Sequence, residues 1–130
     1  MIDFHEWAKA NHSLSGVIGV SDCCLVLADW AIANGHDDVI ANYRGTYETE
    51  EEMYDVVKGF GGIEETVSFG ARLAGLQVIE RRCYGCIAVI GSRSNIYRQW
   101  GAIWDGVRWN VRLKDGFNTI QAKPLRMWKI

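Results

Sequence analysis

The chain has 130 residues, 48% of them hydrophobic, a formal net charge of −2 and four cysteines. That length and apolar content support one domain with one core and are too small for two. The near-neutral charge carries no basic stripe for nucleic acid. No apolar run is long enough to span a membrane and no charged-then-apolar leader is present, so a soluble chain made in the cytoplasm is expected.

Residues 2–11 place Phe4, Trp7 and Ala8 on one helical face opposite Asp3, Glu6 and Lys9, which predicts a short amphipathic helix. His5 and His12 fall on its surface or at its end and read first as solvated histidines. Residues 13–20, with Gly16 and Gly19, read as a loop. Residues 21–35 then form the stretch around which the chain is organised. Ser21 or Asp22 can cap a helix N-terminus, Gly35 supplies its stop, and Asp29 is the one strongly polar residue between them. A helix apolar on every side belongs in the middle of a domain. Cys23 falls in its first turn, where free N–H groups and the helix dipole stabilise a thiolate. Two readings of Cys23 and Cys24 stay open: small buried apolar residues, or a nucleophile and its neighbour.

Beyond Gly35, residues 36–42 suit a short turn or helix, and Arg44-Gly45-Thr46-Tyr47 an extended or loop segment. Thr49 and Glu52 form a capping box for a helix that ends at Gly59. After Gly61-Gly62 a further helix over 63–74 carries Ile63, Val67, Ala71 and Ala74 on its inner side, with Gly75 as stop. From residue 76 the period becomes two. Leu76, Val78 and Glu80 suggest a first strand, and residues 86–90 a central strand covered on both faces. Residues 96–104 suggest a third, with Asp105-Gly106 as a two-residue hairpin. Val107, Trp109, Val111 and Leu113 then alternate with Arg108, Asn110, Arg112 and Lys114, as in a half-buried strand. Short strands over 117–121 and 125–129 complete an antiparallel meander. Helices followed by such a sheet give an α+β fold in a single domain, residues 1–130.

Cys83-Tyr84-Gly85-Cys86 has the spacing of half a zinc or iron–sulfur site. Its partners would have to be Cys23 and Cys24, and adjacent cysteines do not readily turn to one tetrahedral metal. A redox reading lacks the strand–CxxC–helix setting usual for such pairs. No cofactor is therefore expected, with Cys83 and Cys86 as the alternative metal ligands.

The Asp22-Cys23 helix head, Gly85-Cys86-Ile87-Ala88-Val89 and Trp100-Gly101-Ala102-Ile103-Trp104-Asp105-Gly106 together resemble the papain-like NlpC-type cell-wall peptidases. The second stretch resembles that family's Gly-Asp-hydrophobic strand with Cys86 in place of Asp, and the third its His-Val-Gly-Ile-Tyr strand. A closer likeness is to small phage proteins of this type encoded among tail-tip genes, through Arg44-Gly45-Thr46-Tyr47, the Gly61-Gly62 break and Trp128. The resemblance implies a papain-like fold, Cys23 as nucleophile and Asn110 as orienting residue. It also implies a strand histidine as base, where this chain has Trp100, or Gln99 after a one-residue slip. Neither residue takes a proton from a thiol. The three histidines, His5, His12 and His36, all lie in the N-terminal third, and His12 is the candidate for a relocated base. The expected function is thus a structural or adaptor protein of a phage tail tip, a pseudoenzyme in the virion that contacts other tail-tip and hub proteins. Trp100 would fill the vacated groove. The alternative is a cysteine peptidase or amidase acting on peptidoglycan during genome entry.

Overall fold

The computed structural model describes residues 1–11 and 22–130. Helix α1 spans Phe4–Asn11, α2 Leu25–Ala33, α3 Glu50–Phe60 and α4 Ile63–Leu73, with a 3-10 turn at Ala41–Tyr43. The strands are β1 Gln77–Ile79, β2 Ile87–Gly91, β3 Gln99–Trp104, β4 Trp109–Leu113, β5 Gly116–Ile120 and β6 Pro124–Lys129. They form one sheet in the order β1-β6-β2-β3-β4-β5 with every neighbouring pair antiparallel. The fold is α+β, as the pattern predicts.

Local chemistry sets most of the helix ends. Thr49 Oγ1 accepts the Glu52 N–H at 3.1 Å, which is the expected cap of α3. The helix runs one residue past Gly59 and stops at Gly61, whose φ of +101° supplies the left-handed turn. Helix α1 buries Phe4, Trp7 and Ala8 as its spacing requires. Helix α2 is less enclosed than an all-apolar sequence suggests. Leu25, Val26, Leu27, Trp30 and Ala31 are buried, whereas Ile32 reaches solvent and Asp29 is half-buried. Asp29 Oδ1 forms an ion pair with Arg44 Nη2 at 2.7 Å, and Arg44 Nε donates to Asp38. One arginine thereby ties the loop after α2 back to the helix.

Strand β2 is central, and its unbroken apolar run packs on both sides. Ile87 and Val89 join Phe4, Trp30, Val57, Ile63, Ile103 and Trp128 in the core between sheet and helices. Ala88 and Ile90 join Cys86, Ala102, Trp109, Val111 and Met127 in a second cluster on the opposite face.

Five strand expectations need correction. The sheet is not a plain meander, because β6 returns to lie between β1 and β2. Val78 of β1 is exposed on a short edge strand, where no neighbour covers it. Residues 96–98 are a 3-10 turn, capped by the Asn95 side chain on the Tyr97 N–H, and β3 starts at Gln99. Trp104 pairs with Trp109, so Asp105-Gly106-Val107-Arg108 is a four-residue loop with Val107 in solvent. Nor is β4 half-wet. Asn110 and Arg112 are as buried as Trp109 and Val111, because both faces of the sheet are covered here.

Candidate functional site

Asp22 builds the head of α2. Its Oδ1 accepts the N–H groups of Cys24 and Leu25, both at 3.0 Å, and its backbone carbonyl accepts the Val26 N–H at 2.9 Å. The last bond is of the helical i→i−4 kind, so Cys23 lies in the first hydrogen-bonded turn although the regular helix begins at Leu25. Asp22 Oδ2 accepts the Tyr47 hydroxyl at 2.8 Å, and both side chains are buried. Burial and the adjacent Asp22 carboxylate push the Tyr47 phenol far up, so it stays a donor. The tyrosine of the Arg44–Tyr47 segment thus locks the cap from behind. Ser21, the other capping candidate, and His12 lie outside the described residues.

Cys23 and Cys24 are both half-buried. The neighbouring Cys24 thiol holds the Cys23 thiol below its ordinary range. Burial and the Asp22 charge oppose that shift, while the Gly101 N–H and Cys23's own N–H assist it. The same pairing, with burial and the Cys23 charge added, pushes Cys24 well up. Of the pair, Cys23 ionises first. A sulfur anion held by one thiol and two backbone N–H groups is a stabilised nucleophile.

Strand β3 closes the other side. A Cβ on Gly101 would stand 2.3 Å from the Cys23 carbonyl oxygen and 2.8 Å from Leu27 Cδ1, so strand backbone and cysteine turn meet directly. Gln99 is buried and fully engaged. Its Oε1 accepts from the Ile63 and Glu64 N–H groups at 3.1 and 3.3 Å, and its Nε2 donates to the Ser92 carbonyl at 2.9 Å. It caps α4, whose own N-cap residue is Gly62 and has no side chain to offer. Trp100 is half-buried against the second cluster, as is Cys23. On α3, burial and then the Cys23 charge raise the Tyr54 phenol. Its ring lies 4.7 Å from that of Tyr97, over which Lys58 Nζ sits at 5.2 Å.

Asn110 is placed elsewhere. Its Nδ2 donates to the Ile103 and Arg108 carbonyls and, at 3.1 Å, to Asp105 Oδ2. Asp105 Oδ2 also meets His5 Nε2 at 3.0 Å, and its Oδ1 takes the Val107 and Arg108 N–H groups. Burial alone would raise the Asp105 carboxyl. The N–H groups of Arg108 and Val107, the Asn110 amide and His5 outweigh burial and hold it below its usual value. His5, read as a solvated residue, is exposed but joined to this hairpin. His36 follows the far end of α2, its N–H on the Ala31 carbonyl.

Cys83 and Cys86 sit together at the turn before β2. Cys86 is wholly buried, which pushes its thiol up to about 11. No group of three or more His, Cys, Asp or Glu side chains suited to a metal gathers among the described residues. Among the described residues, no further ligands of the kind a closed tetrahedral site needs gather at this pair. Among the described residues no helix is long and apolar enough to cross a membrane.

The functional details missed in the sequence are the pairing of the Cys23 and Cys24 thiols, the Tyr47 lock, the packing of Gly101 and the cap from Gln99. A buried Tyr after Arg-Gly-Thr and a small residue in the middle of an apolar strand were the available signals. No curated protein and no solved structure matches the chain. A family model matches residues 2–130, and the chain belongs to that family, described as a domain of unknown function (DUF6950).

Proposed function

We propose that this chain is a structural adaptor of a phage tail tip, built on an NlpC-type fold that keeps the cysteine of its dyad and has lost the base. The observation that carries this reading is the state of β3 opposite Cys23. Gln99 is committed to capping α4, Gly101 is pressed against the Cys23 turn, and Trp100 is an indole with no proton-accepting nitrogen. A positioned base contributes roughly 10²–10⁴-fold, and a pre-formed thiolate does not replace its second role as acid for the leaving group. Support for the phage setting comes from the sequence resemblance. The adaptor's contacts would be other tail-tip and hub proteins, with the paired rings of Tyr54 and Tyr97 as one contact surface.

Incubation of the protein with purified peptidoglycan tests this. The adaptor reading predicts no released peptides or amines, and retention in tail particles for Cys23→Ala. Release of peptides that is lost in Cys23→Ala overturns it.

The second reading is a cysteine peptidase or amidase, and the lowered Cys23 thiol favours it. Under that reading His12 is the base, and His12→Ala abolishes peptidoglycan turnover without unfolding the chain.

A further inference from the structure

We infer that Cys83 and Cys86 form a thiol–disulfide exchange site that takes a small, linear disulfide and closes to an intramolecular disulfide. The geometry is that of a turn rather than a helix head. The Cys86 N–H bonds the Cys83 carbonyl at 3.0 Å, and Gly85 has a φ of +81°. These are the marks of a type II turn with Gly at its third position, which brings the first and fourth Cα atoms within about 7 Å. A disulfide spans Cα separations of about 4.4–6.8 Å. The turn itself sets the two cysteines at a separation a disulfide can span, so little backbone movement separates the dithiol from the disulfide. The positive φ is what calls for glycine at position 85.

Access divides the labour. Cys83 is half-exposed and Cys86 is sealed in the second cluster. Cys83 gives its proton to solvent and its sulfur attacks one sulfur of the small disulfide. That S–S bond breaks and one thiolate leaves with the electron pair. Cys86 then loses its proton and attacks the Cys83 sulfur, which releases the second thiolate. Two cysteine thiols are oxidised by two electrons, and one small disulfide is reduced to two thiols. The turn also holds three elements. The Tyr84 hydroxyl accepts the Phe4 N–H at 2.6 Å, the Gly85 carbonyl accepts Trp30 Nε1 at 2.8 Å, and the Gly85 N–H donates to Trp104. Closing the disulfide staples the point where α1, α2 and β3 converge. This inference is independent of what Cys23 does.

The test treats the full reduced chain with glutathione disulfide, alkylates the remaining thiols and digests with trypsin. Arg82 and Arg93 flank one peptide that holds both cysteines. The expected peptide is lighter by two hydrogens and takes no alkyl group. In Cys86→Ser the same peptide retains glutathione on Cys83, because no thiol resolves it. In Cys83→Ser, Cys86 stays unmodified. A wild-type peptide that keeps glutathione, or that takes two alkyl groups after treatment, overturns the inference whether or not the variants fold. Glutathione added to Cys86 in Cys83→Ser as readily as to Cys83 in Cys86→Ser overturns the division of labour.

Discussion

At the head of α2, a sulfur with a lowered thiol range faces backbone N–H groups; at the loop between β3 and β4, an imidazole, a carboxylate and an amide are joined in one chain. The first region has the residue type that a thiol hydrolase uses as nucleophile, and the second has the types it uses as base and orienting group. They stand apart. Cys23 meets β3 at Gly101, whereas Asp105 lies four residues further along the strand, about 13 Å at the rise of an extended chain. A base acts across roughly 3 Å. Having the residue types is therefore not enough, and each group here is spent on structure: Asn110 and His5 on the loop, Gln99 on α4.

The comparison breaks most sharply at Gly101. Gly101→Val drives side-chain carbon into the Cys23 carbonyl and Leu27, and the backbone contact leaves no flexible atom to yield. A loss of about 3 kcal/mol is expected in urea unfolding, of the size that overpacked cores show. A loss below about 0.5 kcal/mol would mean that β3 and the cysteine turn are not in contact. Asp22→Ala comes next. It removes the cap on Cys24 and Leu25 and strands the buried Tyr47 hydroxyl, for about 2 kcal/mol. Asp22→Ala combined with Tyr47→Phe should recover part of that loss, because the stranded hydroxyl is then gone.

Asp105 sharpens the other side. Its carboxyl titrates lower in the folded chain than in the unfolded one, so the ionised form stabilises the fold. That contribution is present above the unfolded value of about 3.9 and disappears as pH falls through the folded value. Asp105→Asn should lower stability by about 1 kcal/mol at pH 7, with the gap from wild type closing in acid below about pH 4. A gap that persists at pH 2 would show that shape rather than charge holds the loop. His5→Ala is the smallest change. The imidazole is largely exposed, and about 0.5 kcal/mol or less is expected from thermal or urea unfolding. A larger loss would place His5 deeper in the fold's energetics than its exposure indicates.

The alternation of the strands and the caps of the helices made the α+β class legible, because both are local: Thr49 with Glu52, Phe4 with Trp7, the run from Cys86 to Ile90. What was illegible is long-range. Asn110 and Arg112 read as wet because they alternate with Trp109 and Val111, and only the packing of both sheet faces buries them. The return of β6 between β1 and β2 leaves no trace in the short stretch 124–129. Likewise the tie of Gln99 to Ile63 spans 36 positions. Cys23 was legible from its place behind Asp22. Its thiol partner was adjacent in the chain, yet adjacency alone gives no direction to a side chain.

Among the described residues, the Cys23 thiolate is stabilised without a histidine. This is tested most directly by the pH dependence of Cys23 alkylation, followed by mass spectrometry in a Cys83→Ser/Cys86→Ser background. The account predicts a midpoint below that of an ordinary thiol, raised by Cys24→Ala and unmoved by His5→Ala, His12→Ala or His36→Ala. A midpoint that rises when His12 is removed would reveal an ion pair, and with it a working base beside Cys23.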